Sequence, residues 1–377
     1  MSFLRNRPYN ELPELPPKAD IETRAILKTC IGAGRALAEL KTAGDLIPNQ
    51  TVLINTIPYL EANASSEIEN IVTTMDSLFR YSSAEESARD PAVKETLRYR
   101  TALYEGFKSL EKRPVCTATA IVVCRILRNI EMDIRKVPGT AIAGAVSGRI
   151  IYMPPEGEEL IREKMANWEK FINAAEKIDP LIRLAAMHYQ FEAIHPFTDG
   201  NGRTGRILNI LFLVQEGLLN IPVLYLSRFI IRNKDRYYSL LQSVTEQGEW
   251  EPWILFMLEA VEDTARWTVE KIRAISRLLD HTCGYVRFRL PKVYSRELVE
   301  MTFIQPYCRI SNIVEAEIAK RETASTYLKA LADIGVLREL KVGREKLFFH
   351  PKFLTLLTTD ENDFPGYQMS VTGSHPE

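Results

Sequence analysis

Between His195 and Arg206 the stretch "EAIHPFTDGNGRTGRILNIL" (192–211) packs a histidine, an aspartate, an asparagine, three glycines and two arginines into twelve residues. Unpaired N–H groups at a helix start beside glycines form a nest for anions. Arg203 and Arg206 fall in the first turn of the helix that follows, where the macrodipole disfavours each cation by about 0.3–1 kcal/mol. Such placement makes sense if a polyanion such as a nucleotide phosphate chain occupies the nest and each guanidinium takes phosphate oxygens. Asp199 beside those phosphates suits Mg²⁺, which accepts one or two protein carboxylates and keeps several waters. His195 at the loop entrance can take a proton from an attacking hydroxyl. Taken singly, His195 is equally a packed histidine, and Asp199 a helix cap or Asx turn. Together they read as phosphoryl-type transfer.

Two helices must hold this loop. The first is predicted to start at Asp179–Pro180, a cap followed by proline at the first helical position, and to bury Leu181, Leu184, Ala185, Met187, His188 and Phe191. Pro196 disfavours the α conformation at His195 and should end it there. A second helix is predicted from about Gly202, with Ile207, Leu208, Ile210, Leu211 and Val214 as its apolar positions.

The segment "HPFTDGNGRTGR" resembles, position for position, the HPFx(D/E)GNGRxxR signature of Fic-domain proteins, most of which transfer AMP from ATP to a hydroxyl side chain of a protein. The resemblance implies a mainly α fold: a Fic-type helical core with a β-hairpin flap, an N-terminal helical region and a C-terminal winged-helix domain. It implies His195 as base, Asp199 as Mg²⁺ ligand, Asn201 near the α-phosphate, and the amides of Gly200 to Gly202 as the anion hole. Arg203 would hold the β-phosphate and Arg206 the γ-phosphate, with Thr204 and Gly205 completing the nucleotide loop. Doc-type kinases of the same fold carry alanine and lysine where this chain keeps Gly200 and Gly202, so transfer of AMP is favoured over transfer of phosphate. ATP and Mg²⁺ are the expected substrate and cofactor.

A short β-branched interruption, "KVPGTAIAGAVSGRIIYMPPEGEE", reads as a hairpin turning at Ser147–Gly148. It resembles the family's flap, which adds the target backbone as an extra strand, with Ile150 and Ile151 as contact candidates. Without the loop beside it, a hairpin packed on the core explains it as well. Tyr237 matches the family's nucleotide-contacting position and Thr245 the place of an asparagine, although a tyrosine on a helix is usually core.

The stretch "SSEIENIVTTMD" (65–76) reads by itself as a helix start, with Ser66 and Glu69 as a capping box. It also resembles the family's inhibitory motif (S/T)xxxE(G/N), met by Ser65, Glu69 and Asn70 in a helix of about 65–80. The resemblance implies that Glu69 pairs with Arg206 and blocks productive ATP. Some such proteins also remove AMP, so both directions stay open.

With 48 Lys+Arg against 49 Asp+Glu, bulk charge gives no push toward nucleic acid or anionic lipid. Five scattered cysteines without a CxxC pair suit reduced thiols, and neither an apolar signal core nor a membrane-length apolar run appears, so a cytoplasmic protein is expected. Three regions are expected: 1–112, helical, with breaks at "AGDLIPN" and "EANASS" and a helix from about Pro91 to Leu110; 113–278, the catalytic core; and 279–377, winged-helix-like. In the last, Arg321, Ser325, Thr326 and Lys329 can share a face, with Lys341, Arg344 and Lys346 on the wing. A solvated packing face explains these residues better than DNA binding, and a DNA-binding regulator with a nucleotide-sensing core is the main rival reading. The expected partners are ATP and a target protein docked on the flap, and a homodimer is plausible by the resemblance.

Overall fold

The computed structural model describes residues 3–44, 47, 49–82, 89–143, 148–174, 178–342 and 345–368. The expected hairpin turn at Ser147 and the wing residue Arg344 lie outside them. The fold is mainly helical and divides into two compact units, Met1–Lys41 with Ile57–Thr74 and Ala84–Trp267, and Thr42–Thr56 with Met75–Ser83 and Thr268–Glu377. Most of the expected N-terminal region and most of the expected catalytic core therefore share one unit, whereas 42–56, 75–83 and 268–278 belong to the other, and the division at Trp267 falls inside one long helix.

Helices run in the order α1 (Arg24–Ala43), α2 (Thr51–Ile54), α3 (Ile57–Ile68), α4 (Met75–Tyr81), α5 (Pro91–Ser109) and α6 (Thr117–Arg128). Two strands follow, β1 (Ile142–Ala143) and β2 (Ile150–Tyr152), then α7 (Glu158–Ile172), α8 (Pro180–Ile194), α9 (Asn201–Gln215), α10 (Leu226–Arg232), α11 (Lys234–Gln247) and α12 (Trp250–Arg289). The first unit is organised around α8, which is buried on nearly every side. Trp168 and Trp253 pack against it and donate their indole N–H groups to the carbonyls of Met187 and Ala185 at 3.0 and 2.8 Å, so neither buries an unpaired donor. Helix α9 crosses α5 at Gly106, where a Cβ would come 2.6 Å from Leu211. The antiparallel pair β1–β2 sets Ile142 opposite Tyr152.

The second unit adds α13 (Arg296–Ile304), β3 (Tyr307–Arg309), α14 (Ile310–Glu315), α15 (Arg321–Asp333), β4 (Arg338–Val342), β5 (Glu345–Phe349) and α16 (Pro351–Thr358). The strands form an antiparallel sheet in the order β3-β5-β4. Helix α15 buries Ala324, Leu328 and Leu331 at helical spacing and leaves Arg321, Thr326 and Lys329 exposed. Lys346 is engaged by Glu339 at 2.5 Å across the β4–β5 pair.

One expectation fails in the N-terminal region. "EANASS" is not a break but lies within α3, and the expected helix of about 65–80 does not exist: α3 ends at Ile68 and α4 begins at Met75. The Ser66–Glu69 pair therefore marks a helix end rather than a start. Asn70 takes φ 61°, and the amides of Asn70 and Ile71 bond back to the carbonyls of Glu67 and Ser66 at 2.9 and 3.0 Å. That is a Schellman termination, with asparagine in the left-handed position that only glycine and asparagine occupy readily.

Candidate active site

Asp179 caps α8 as expected, its carboxylate accepting the Leu181 amide at 2.8 Å. The helix stops at His195, but His195 adopts the left-handed conformation (φ 50°, ψ 59°) rather than the extended one that Pro196 favours. A residue without sequence signal holds it there. Buried Arg135 donates from Nε to the His195 carbonyl at 2.8 Å, and its backbone amide reaches the Pro196 carbonyl at 2.9 Å. The cation also satisfies carbonyls at the negative end of α8.

The His195 imidazole is neutral at physiological pH: burial pushes its pKa down to about 4. The Glu192 carbonyl lies 3.4 Å from Nδ1, and since a carbonyl can only accept, Nδ1 carries the hydrogen and Nε2 keeps its lone pair. Burial raises the Glu192 carboxyl itself to about 7, with Glu69 pushing the same way and Arg206 against.

Gly200, at φ 83°, precedes α9. Asn201 spends its side chain on the loop, its Oδ1 accepting the Phe197 amide at 2.9 Å and its Nδ2 donating to the Phe197 carbonyl at 2.8 Å. One Nδ2 hydrogen remains for a ligand. Arg203 and Arg206 are 2% and 1% exposed, so both cations are buried at the positive end of a helix. Gly205 packs on α8, where a Cβ would come 2.7 Å from Glu192. Thr204 is buried one turn into the helix.

Burying Arg206 requires partners, and the end of α3 supplies them. Its Nε donates to Ser65 Oγ at 2.8 Å, and its Nη2 donates to the Ser65 carbonyl at 3.0 Å and to Glu69 Oε1 at 2.7 Å. Burial pushes the Glu69 carboxyl up, but Arg206, with Arg203 and His195 adding, outweighs it and holds the pKa below the usual carboxylate value. The carboxylate rests against Gly202, leaving no room there for a Cβ. Asn70, expected in this motif, shapes the turn and accepts from Lys234 at 3.3 Å.

Asp199 is more than half exposed and pairs with Arg128 at 2.9 Å. Among the described residues no group of three acidic, histidine or cysteine side chains is arranged to hold a metal. A lone carboxylate fits Mg²⁺ only if phosphate oxygens and water complete the shell.

Beside the loop is a cavity of about 310 Å³ whose walls include Ile142, Ile151, Tyr152, Glu192, Tyr238 and Thr245. Strand alternation turns Ile151 toward the cavity and leaves Ile150 exposed. The Tyr152 hydroxyl ties the flap to α8 by donating to the Ala193 carbonyl at 2.8 Å. Tyr237 does not reach this cavity. It is buried among Trp253 and Phe256, its hydroxyl 2.9 Å from His188 Nε2, while its neighbour Tyr238 lines the wall. Helix geometry explains the exchange, since consecutive residues lie about 100° apart around the axis. Thr245 shares a hydrogen bond of 3.0 Å with the Tyr189 hydroxyl.

Comparison with known proteins finds relatives in both sequence and fold. The description "Fic/DOC family N-terminal" matches residues 27–108, "Fic/DOC family" matches 110–213, and "Protein adenylyltransferase SoFic-like, C-terminal domain" matches 278–353. The chain carries a Fic/DOC domain, with a Fic/DOC N-terminal region before it and a SoFic-like C-terminal domain after it. It is 31% identical over 193 residues to a probable protein adenylyltransferase of Aquifex aeolicus, covering 49% of this chain and 54% of that one. It is 36% identical over 116 residues to the protein adenylyltransferase Fic of Nematostella vectensis, covering 30% and 25%. The chain thus spans about half the length of the first of these relatives and about a quarter of the second. In fold it is similar to a Fic family protein of Desulfovibrio desulfuricans (TM-score 0.55, 19% identity, covering 88% of this chain and 97% of that one). It is also similar to a Fic domain protein of Bacteroides thetaiotaomicron (TM-score 0.53, 17% identity, covering 65% and 97%).

Proposed function

We propose that this chain is a protein adenylyltransferase that moves AMP from Mg-ATP to a hydroxyl side chain of another protein, and that Glu69 holds it in check. The observation that carries the reading is the pair of buried arginines at the start of α9, held by carboxylates from elsewhere in the chain and with Arg203 Nε left unpaired, near a histidine kept neutral by burial. In this reading the amides of Gly200 to Gly202 and the guanidiniums of Arg203 and Arg206 take the phosphates. The cavity walled by Ile151, Tyr238 and Thr245 takes the adenosine side, and the flap at Ile150 presents the target. The target hydroxyl oxygen attacks the α-phosphorus and gives its proton to His195 Nε2. The bond from that phosphorus to the bridging oxygen breaks, and diphosphate leaves. Bound Mg²⁺, held by Asp199 and phosphate oxygens, would neutralise charge on the departing diphosphate.

Glu69 opposes this arrangement because it already occupies Arg206, the group assigned to the γ-phosphate. Placing that phosphate beside an ionised carboxylate costs energy unless Glu69 moves or ATP binds in an unproductive pose. The test is labelling from α-³²P-ATP by the Glu69→Gly variant. Covalent label on protein well above the parent is expected; no label, or label only from γ-³²P-ATP, would remove the reading. A second direction has one observation in its favour. The Glu69 carboxylate lies over Gly202 inside the His195 site, where it can orient water for removal of AMP from a modified protein. Release of AMP by the parent but not by Glu69→Gly would support it.

A further inference from the structure

The signature arginines are not anchored alike. Arg206 is held by the end of α3, whereas Arg203 is held by Glu95, which projects from α5 more than a hundred residues earlier in the chain. Glu95 Oε1 accepts from Arg203 Nη1 at 2.7 Å and, in a tighter contact, from Arg128 Nη1. Arg128 in turn reaches Asp199 Oδ2 with its Nη2 at 2.9 Å. The result is an alternating chain of four charges, Asp199–Arg128–Glu95–Arg203, running along the loop. The Arg128 stem lies on Gly200, where a Cβ would come 3.3 Å from its Cγ and Cδ. At the far end, the Nε of the buried Arg203 has no partner. One donor of that guanidinium is fixed by Glu95 and another is buried without a protein acceptor, which leaves it available to a ligand oxygen.

We propose that Glu95 is a positioning residue for nucleotide binding: it fixes Arg203 for the β-phosphate and, through Arg128, fixes Asp199 for the metal. The inference rests on the proposed function. It deepens that reading by separating two carboxylates on the same anion site, Glu69 as an occupant of an arginine the nucleotide needs and Glu95 as the anchor of the other. A guanidinium already immobilised by one charged hydrogen bond loses less freedom when phosphate arrives, so removing the anchor weakens binding rather than relieving it.

The test uses full-length protein carrying Glu69→Gly, titrated calorimetrically with ADP and with AMP in the presence of Mg²⁺, with and without Glu95→Ala. AMP lacks the β-phosphate and reports on the fold and the adenosine side alone. ADP binding is expected to weaken about tenfold or more, the size associated with losing a hydrogen bond to a charged group. The Mg²⁺ concentration needed for half-maximal ADP binding should rise, and AMP binding should hold. Glu95→Gln, which keeps an acceptor oxygen, should fall between. The proposal is overturned if ADP binding is unchanged, if it tightens, or if AMP is lost to the same extent as ADP. If the Glu69→Gly parent itself binds neither ADP nor ATP, the nucleotide reading of the whole site fails.

Discussion

The end of α3 and the start of α9 are mirror cases. At the C-terminal end of α3, where the dipole favours cations, the chain places Glu69; at the N-terminal end of α9, where it favours anions, it places Arg203 and Arg206. Each is locally unfavourable, and the two errors correct each other through the 2.7 Å contact between Glu69 and Arg206. They differ in what remains afterwards. At the α3 end a Schellman turn closes the amides and Glu69 has its charged partner. At the α9 start a charged group is left short, because Arg203 keeps an unpaired buried Nε, and Gly202 lies against a carboxylate that belongs to another element. A stable structure does not need charges set against both dipoles, but a switch does, because a phosphate can take the place of the carboxylate with the same partner.

The largest effect is expected at His195. In the Glu69→Gly background, His195→Ala should lower the labelling rate by about 10²–10⁴-fold, the usual contribution of a positioned proton acceptor. Because burial lowers its pKa to about 4, the imidazole is the unprotonated base at every pH above that value. Rates should therefore show no loss from this group between pH 5 and 8, and fall only as pH drops toward 4. A rate loss near pH 6.5 would mean that the histidine is solvated rather than buried.

A smaller effect is expected at the Asn70 turn. Asn70→Ala puts a Cβ residue without a compensating amide into the left-handed position, costing about 1 kcal/mol, so Glu69 should be held less firmly and basal labelling should rise about fivefold. Asn70→Gly keeps the turn and loses only the exposed contact to Lys234, so basal labelling should stay at the parent level. Equal activation by both variants would show that the side chain, not the turn, positions Glu69.

How much could be read in advance follows from where the partners sit in the chain. His195, Asp199, Gly200, Asn201, Gly202, Arg203 and Arg206 lie within twelve residues, and their misfit with an ordinary helix start is visible without a structure. The partner of Arg206 is 137 residues away, and no local pattern points from one to the other; only likeness to the family's inhibitory motif paired them. The same likeness did not give the direction of the helix. Ser66 and Glu69 satisfy the spacing of a helix start, and only the left-handed φ of Asn70 shows that they close one. Arg135, Arg128 and Glu95 are invisible for a related reason, since a lone arginine or glutamate on an amphipathic helix or in a connecting segment looks like surface until the fold brings it to the loop. Tyr237 and Tyr238 are adjacent tyrosines whose sequence context is equal, and a rotation about the α11 axis decides which is core and which lines the cavity.

Competition between a carboxylate and a terminal phosphate for Arg206 can be measured by calorimetric titration of the parent and the Glu69→Gly variant with Mg-ATP and with Mg-ADP. Removing the carboxylate should tighten ATP binding by about tenfold or more while ADP, which lacks the γ-phosphate, gains little. Identical ATP affinities in the two proteins, or equal gains for both nucleotides, would contradict it.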